Sequence, residues 1–147
     1  MDMTGEQLIP QPQDVTWQAL NDTQILKECI TGCESIEQSG DNEYQIVMTA
    51  KVGPVSAKFK GKMTLADIVP PTSYRIIFEG QGGVAGFAKG EASVNLSPQD
   101  GGTKLAYSAN AMVGGKLAQV GSRLIDGVAK KIAGEFFTKF NARVSKS

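Results

Sequence analysis

Residues 105–132 read LAYSANAMVGGKLAQVGSRLIDGVAKKI, and the repeat changes in the middle of them. Up to Val113 the repeat is two: Leu105, Tyr107, Ala109, Ala111 and Val113 share one side. That alternation predicts a strand with one buried face. Gly114-Gly115 ends it, and from Lys116 the repeat becomes helical. Leu117, Val120, Gly121, Leu124, Ile125, Val128 and Ile132 form one stripe, opposite Lys116, Gln119, Arg123, Asp126 and Lys130. One helix is expected from Lys116 to about Arg143, ~40 Å long at about 1.5 Å per residue and so able to cross a whole sheet. The register slips at Gly134. Glu135 falls on the apolar meridian, Phe136 and Phe140 move to its edge, and Phe137 lands on the polar side. The helix is therefore expected to kink at Gly134 or to leave the sheet there. An exposed Phe137 would suit a ligand entrance or a partner contact; a helix end packing locally is the competing reading.

Upstream the period stays at two. Tyr44, Ile46, Met48, Ala50 and Val52 alternate with Gln45, Val47, Thr49 and Lys51, and Gly53-Pro54 makes a turn. Val55, Ala57, Phe59, Gly61, Met63 and Leu65 follow, with Lys58, Lys60 and Lys62 on the other face. After Pro70-Pro71, Tyr74, Ile76, Phe78 and Gly80 form the next inward row. A glycine-rich bend over Gln81–Ala85 leads to Gly86, Ala88, Gly90, Ala92, Val94 and Leu96. Phe87 faces the other way with Lys89 and Glu91 and is expected to be exposed. Gly101-Gly102 turns the chain into the last strand.

The N-terminal segment gives a weak strand over Met1–Ile9, closed by Pro10 and Pro12. A short helix suits Gln13–Leu20. A second suits Gln24–Cys29, with Thr23 as its cap and Gly32 ending it. The order is strand, two short helices, about six antiparallel strands, long helix. It describes an α+β helix-grip fold, a curved antiparallel sheet wrapped around its C-terminal helix. A chain of 147 residues with 41% hydrophobic content suits one domain over residues 1–147.

Composition removes several function classes. Fifteen basic residues balance fifteen acidic ones, which argues against nucleic acid as a partner. No run approaches the ~20 apolar residues of a transmembrane helix. Met1–Pro10 lacks a basic start and an apolar run, so no signal peptide is read and a cytoplasmic location is expected. There is no histidine, the commonest general base and metal ligand. Cys29 and Cys33 cannot complete a zinc site by themselves and read as small buried hydrophobes. No cofactor and no catalysis are expected. Gly80-Gln81-Gly82-Gly83-Val84-Ala85 matches a loose dinucleotide pattern, but strand residues follow where that fingerprint needs a helix. Glu79 and Glu91 fall on the wet face. Glu135 is the one acid on an apolar stripe.

The inward rows are unusually small. Gly86, Ala88, Gly90 and Ala92 run together, and Gly61, Gly80, Ala109, Ala111 and the helix residue Gly121 join them. Either these residues let the helix approach closely, or they leave room for a ligand. The ligand reading better explains small residues on several strands. Its candidate binding residues are Met48, Phe59, Met63, Phe78, Ala88, Tyr107, Gly121, Leu124 and Val128. Almost no charge faces inward, so the expected partner is an elongated apolar small molecule, a quinone or lipid. Tyr107 could donate to one carbonyl oxygen of it, or could be a core tyrosine bonded to the backbone.

Several segments together resemble the CoxG-type family of carbon monoxide dehydrogenase subunits, within the START-like, polyketide-cyclase-like superfamily. They are Leu20–Asp22, Cys29–Glu34, Ala50–Val55, Pro70-Pro71, Gly82–Gly90 and Val113–Ile125. Thr31 stands where that family usually has proline. The resemblance implies a helix-grip fold with an apolar tunnel and association with a molybdenum hydroxylase of the carbon monoxide dehydrogenase type. It implies recruitment of that enzyme to the membrane, or carriage of a respiratory quinone. Some relatives carry a C-terminal anchor. This sequence ends at Ser147 without one, so membrane contact is expected to be peripheral, or the chain is a shorter paralogue. Two functions follow: a non-catalytic carrier, or an assembly factor that docks on the hydroxylase through Phe87 and Phe137 with the cavity incidental. An enzyme such as a cyclase or isomerase ranks behind both.

Overall fold

The period-two segments pair into one antiparallel sheet of seven strands in a computed structural model that describes residues 1–145. The last two residues of the unit expected over 1–147 lie outside them. The strands are β1 (Asp2–Ile9), β2 (Cys33–Gly40), β3 (Glu43–Val52), β4 (Val55–Val69), β5 (Ser73–Gln81), β6 (Phe87–Gln99) and β7 (Gly102–Gly114). Their spatial order is β1-β7-β6-β5-β4-β3-β2. Strands β2 to β7 are joined as successive hairpins, and β1 closes onto β7 with Met3 opposite Ala109 and Gly5 opposite Tyr107. The weak alternation of β1 is real: Met3, Gly5, Gln7 and Ile9 are inward and the residues between them exposed. Strand β2 was not separately legible, because CESIEQSG carries one large apolar residue, Ile36, which is buried.

Two short helices, α1 (Gln13–Leu20) and α2 (Thr23–Cys29), carry the chain from one sheet edge to the other. The cap of α2 is Asp22, not Thr23. Its carboxylate accepts from the backbone N–H of Gln24 at 2.9 Å and Ile25 at 3.3 Å, satisfying donors that a helix start leaves open. Helix α1 is tied to β7 by buried hydroxyls. Thr103 donates to the Gln11 carbonyl at 2.7 Å, and Thr16 lies 3.3 Å from Thr103.

The C-terminal helical stretch is broken, though not where the period suggested. A four-residue helix α3 (Lys116–Gln119) ends before Gly121, whose φ of +97° takes the left-handed conformation open to glycine. Helix α4 then runs without interruption from Ser122 to Ser145, through Gly134. Its 24 residues span about 36 Å. No kink is needed at Gly134, because the inward meridian drifts along α4. It moves from Ile125, Val128 and Ile132 to Phe136, Phe140 and Val144 as the helix crosses a curved sheet. A fixed stripe anchored on Leu124 misses that drift and puts Phe137 outside. In the structure Phe137 is buried and stacks on Tyr107 at 5.7 Å between ring centroids.

The solid core sits at one end. Phe140, Val144 and Phe137 of α4 meet Ile9, Leu96 and Leu105 of the sheet and Ala19, Leu20, Ile25 and Cys29 of the short helices. Full burial of each large side chain here contributes about 1.5–3 kcal/mol. An Arg143–Glu28 pair at 3.0 Å and Thr31 donating to Glu135 at 2.9 Å hold α4 against α2 and its loop.

Candidate ligand cavity

The N-terminal half of α4 meets the sheet at its β3 edge, where Leu124 rests on the Gly53 turn, and stands off the sheet's inward face. Between them lies a cavity of about 520 Å³, within the ~300–1,000 Å³ range of small-molecule sites. At about 24 cal/mol per Å³ an empty closed void this large would cost ~12 kcal/mol, comparable with the whole stability of a domain. The space must therefore open to solvent or take a guest. The sheet wall includes Met63, Leu65, Tyr74, Ile76, Phe78, Ala88, Ala92, Val94, Tyr107, Ala109, Ala111 and Val113, and the helix wall includes Ile125, Val128, Ala129 and Ile132. Leu20, Asn21, Leu26 and Ile30 of the α1–α2 corner close one end. Among the described residues, no Asp, Glu, Lys or Arg lines the cavity; its polar members are Asn21, Tyr44, Tyr74 and Tyr107.

The small residues divide into two kinds. Alanines make the room: Ala92 pairs with Ala109 across β6 and β7, with Ala88 and Ala111 nearby on the same wall. Glycines bend the sheet. A Cβ built on Gly90 would sit 2.1 Å from the Asn110 carbonyl oxygen, and one on Gly61 would sit 2.7 Å from that of Glu79. Neighbouring backbones thus occupy the place of a side chain, which coils the strands around the helix. The glycines bring neighbouring strands together and do not draw the helix onto the sheet, while the alanines leave the room.

Of the residues expected at the site, Met63, Phe78, Ala88, Tyr107 and Val128 line the cavity, and Met48, Phe59, Gly121 and Leu124 do not. Met48 and Phe59 are partners across β3 and β4, on the correct face but too far along it. The β4–β5 pairing stops at Lys60 and Gln81, so the hairpin overhangs. The Phe59 ring covers Gly82 instead, where an added Cβ would lie 2.4 Å from it. Alternation gives the face of a residue; only pairing gives its depth. Gly121 is an exposed helix break. Leu124 is 39% exposed and rests on the Gly53 turn, outside the cavity. Phe87, expected outside, is half-buried with its ring over Gly114, filling the space a Cβ there would need. Leu65, Tyr74 and Ile76 were missed, although they belong to the same alternating rows. Nothing in the sequence marks where the α1–α2 corner folds, so Leu20, Asn21, Leu26 and Ile30 left no local signal.

Tyr107 is a wall through its ring. Its hydroxyl lies over Gly5 of β1, where an added Cβ would be 2.6 Å from Oη. Tyr74 is buried, 6% exposed, and its ring meets Trp17 of α1 edge-on at 5.2 Å. Burial pushes its hydroxyl pKa well above the ordinary phenol value. Cys29 and Cys33 are free thiols, both raised chiefly by burial. Glu135 stays out of the cavity, beside Thr31.

A curved seven-stranded sheet gripping a long helix over an apolar hollow is the helix-grip (START-like) fold. The chain belongs to the CoxG family of carbon monoxide dehydrogenase subunits, whose model matches residues 5–145. Among solved structures, a conserved protein from Geobacillus kaustophilus superposes with a TM-score of 0.94 at 34% identity, over 100% of this chain and 97% of that one. The Zhui aromatase/cyclase from Streptomyces sp. R1128 gives 0.71 at 11% identity over 99% and 94%. Ara h 8.0201 gives 0.66 at 18% identity over 100% and 99%. The last two likenesses show the fold alone. No curated protein matches the chain in sequence. Among the described residues, no helix is long and apolar enough to cross a membrane.

Proposed function

We propose that the chain binds a quinone- or lipid-like molecule without transforming it. In this reading it serves a molybdenum hydroxylase of the carbon monoxide dehydrogenase type as carrier or membrane-recruitment factor. It would work in the cytoplasm, with at most peripheral contact at the inner face of the membrane. The observation that carries the reading is the hollow under α4, about 520 Å³ with no charged side chain among its described lining residues. Such a wall favours apolar surface and offers no charged side chain to pair with an ionised group. Among the described residues it also holds no carboxylate or thiol placed to move a proton, which supports binding over catalysis. Membership of the CoxG family supports the hydroxylase as partner.

Native mass spectrometry of freshly purified protein should show a co-purified apolar ligand. Added menaquinone or ubiquinone should raise the thermal midpoint, by an amount set by occupancy; ~100-fold excess over Kd is worth about 2.7 kcal/mol. A protein that stays empty and gains no stability with either contradicts the reading. The docking alternative needs Phe87 and Phe137 exposed, and neither is. Leu124→Trp cannot plug the cavity from outside it; Ala92→Phe projects into it. Hydroxylase capture that depends on an unplugged cavity supports the carrier, and capture indifferent to Ala92→Phe supports docking alone.

A further inference from the structure

Tyr74 sits on the inward face of β5 at the cavity end closed by the solid core and α1. It is 6% exposed, yet no described residue hydrogen-bonds to its hydroxyl. The hydroxyl keeps some accessible surface but has no protein partner, and Tyr74 lines the cavity, so water can satisfy it when the cavity is empty and a guest when it is filled. The other polar lining residues are less well placed: Tyr44 lies two strands away, in the row it forms with Met63 and Phe78. The Asn21 amide nitrogen already donates to the Trp17 carbonyl at 2.9 Å. The Tyr107 hydroxyl is turned toward Gly5. Among the described residues no charged side chain lines the hollow, and the Met1 ammonium lies at the other end, donating to the Ala111 carbonyl at 3.0 Å, so a carboxylate or phosphate at the Tyr74 end would be buried unpaired.

We propose that Tyr74 selects and orients the guest by donating a hydrogen bond to a neutral carbonyl oxygen at the closed end of the cavity. The hydrocarbon part then runs toward Ala88, Val113, Leu117 and Ile125. This rests on the ligand-binding reading above and deepens it. The guest is a ketone-, quinone- or ester-bearing apolar molecule that enters oxygen first, and a carboxylate is disfavoured at the Tyr74 end.

The test uses two probes of nearly equal shape, 2,3-dimethyl-1,4-naphthoquinone and 2,3-dimethylnaphthalene, titrated calorimetrically into the full chain. The wild type should prefer the quinone by roughly tenfold, the factor one net hydrogen bond supplies. Tyr74→Phe should bring that ratio close to one while leaving the hydrocarbon's affinity unchanged, and Tyr107→Phe should leave the ratio intact. Ligand-free Tyr74→Phe should unfold at the same or higher urea concentration, because it loses a hydroxyl that no protein group satisfies. A quinone preference that survives Tyr74→Phe, or an equal loss for both probes, overturns the role of Tyr74 alone. Failure of both probes to bind the wild type overturns the cavity reading with it.

Discussion

Enlarging Ala92 decides whether the interior is hollow, because the two answers have opposite signs. In a filled core, added methylenes force strain that costs about 1–3 kcal/mol. Ala92 instead lines the cavity beside Ala109, its partner on β7, with Ile76 and Ala88 on the same wall. Ala92→Leu places three more carbons against that wall. At ~0.8 kcal/mol per buried methylene they gain about 2.4 kcal/mol, less ~0.5–1 for the leucine's lost rotamers. The expected net is a stabilisation of about 1.5 kcal/mol, or roughly 3–6 °C in Tm for a chain of this size. Ala19→Leu is the control. Ala19 is 7% exposed within the solid cluster around Leu20 and Phe140, and enlarging it should cost about 1–3 kcal/mol. Urea denaturation of ligand-free protein, with m unchanged across the set, reads both. A lower urea midpoint for Ala92→Leu would refute the reasoning, since only an occupied site resists added volume.

Two further expectations concern other parts of the molecule. Gly90→Ala should lose more than about 2 kcal/mol in urea denaturation, because the new Cβ meets a backbone oxygen; Gly134→Ala, on an open helix face, should gain about 0.5–1 kcal/mol. The Cys29 thiol is raised by burial first and by Glu28 second. Its contribution is intact below the ordinary thiol pKa near ~8.5 and fades as pH climbs through the raised value. Cys29→Ala should therefore show a flatter decline of urea midpoint with alkaline pH than the wild type, and parallel declines would contradict this.

The sheet was legible because its rows alternate cleanly and its turns carry Gly-Pro or Gly-Gly. Val55–Leu65 and Leu105–Val113 fall in β4 and β7 with the faces their residues suggested. Helix α1 was legible to the residue. The break at Gly121 was not, since apolar residues on both sides continue one helical pattern and only the positive φ ends it. Phe137 was misplaced for a related reason: a helix crossing a coiled sheet changes its inward face, and one fixed period cannot follow it. The cavity wall was half legible. Alternation marks the inward side of each strand, and Met63, Phe78 and Ala88 followed from it. Depth along the strand depends on where β4 and β5 part, which separates Met63 from Phe59 within one row.

Pressurising a crystal with xenon probes the hollow most directly, since xenon settles in apolar cavities. Density for xenon, or for an apolar molecule already in its place, should appear among Ala92, Ala109, Phe78, Val128 and Tyr74. An interior there packed with side chains, and no site for either guest, would contradict the account.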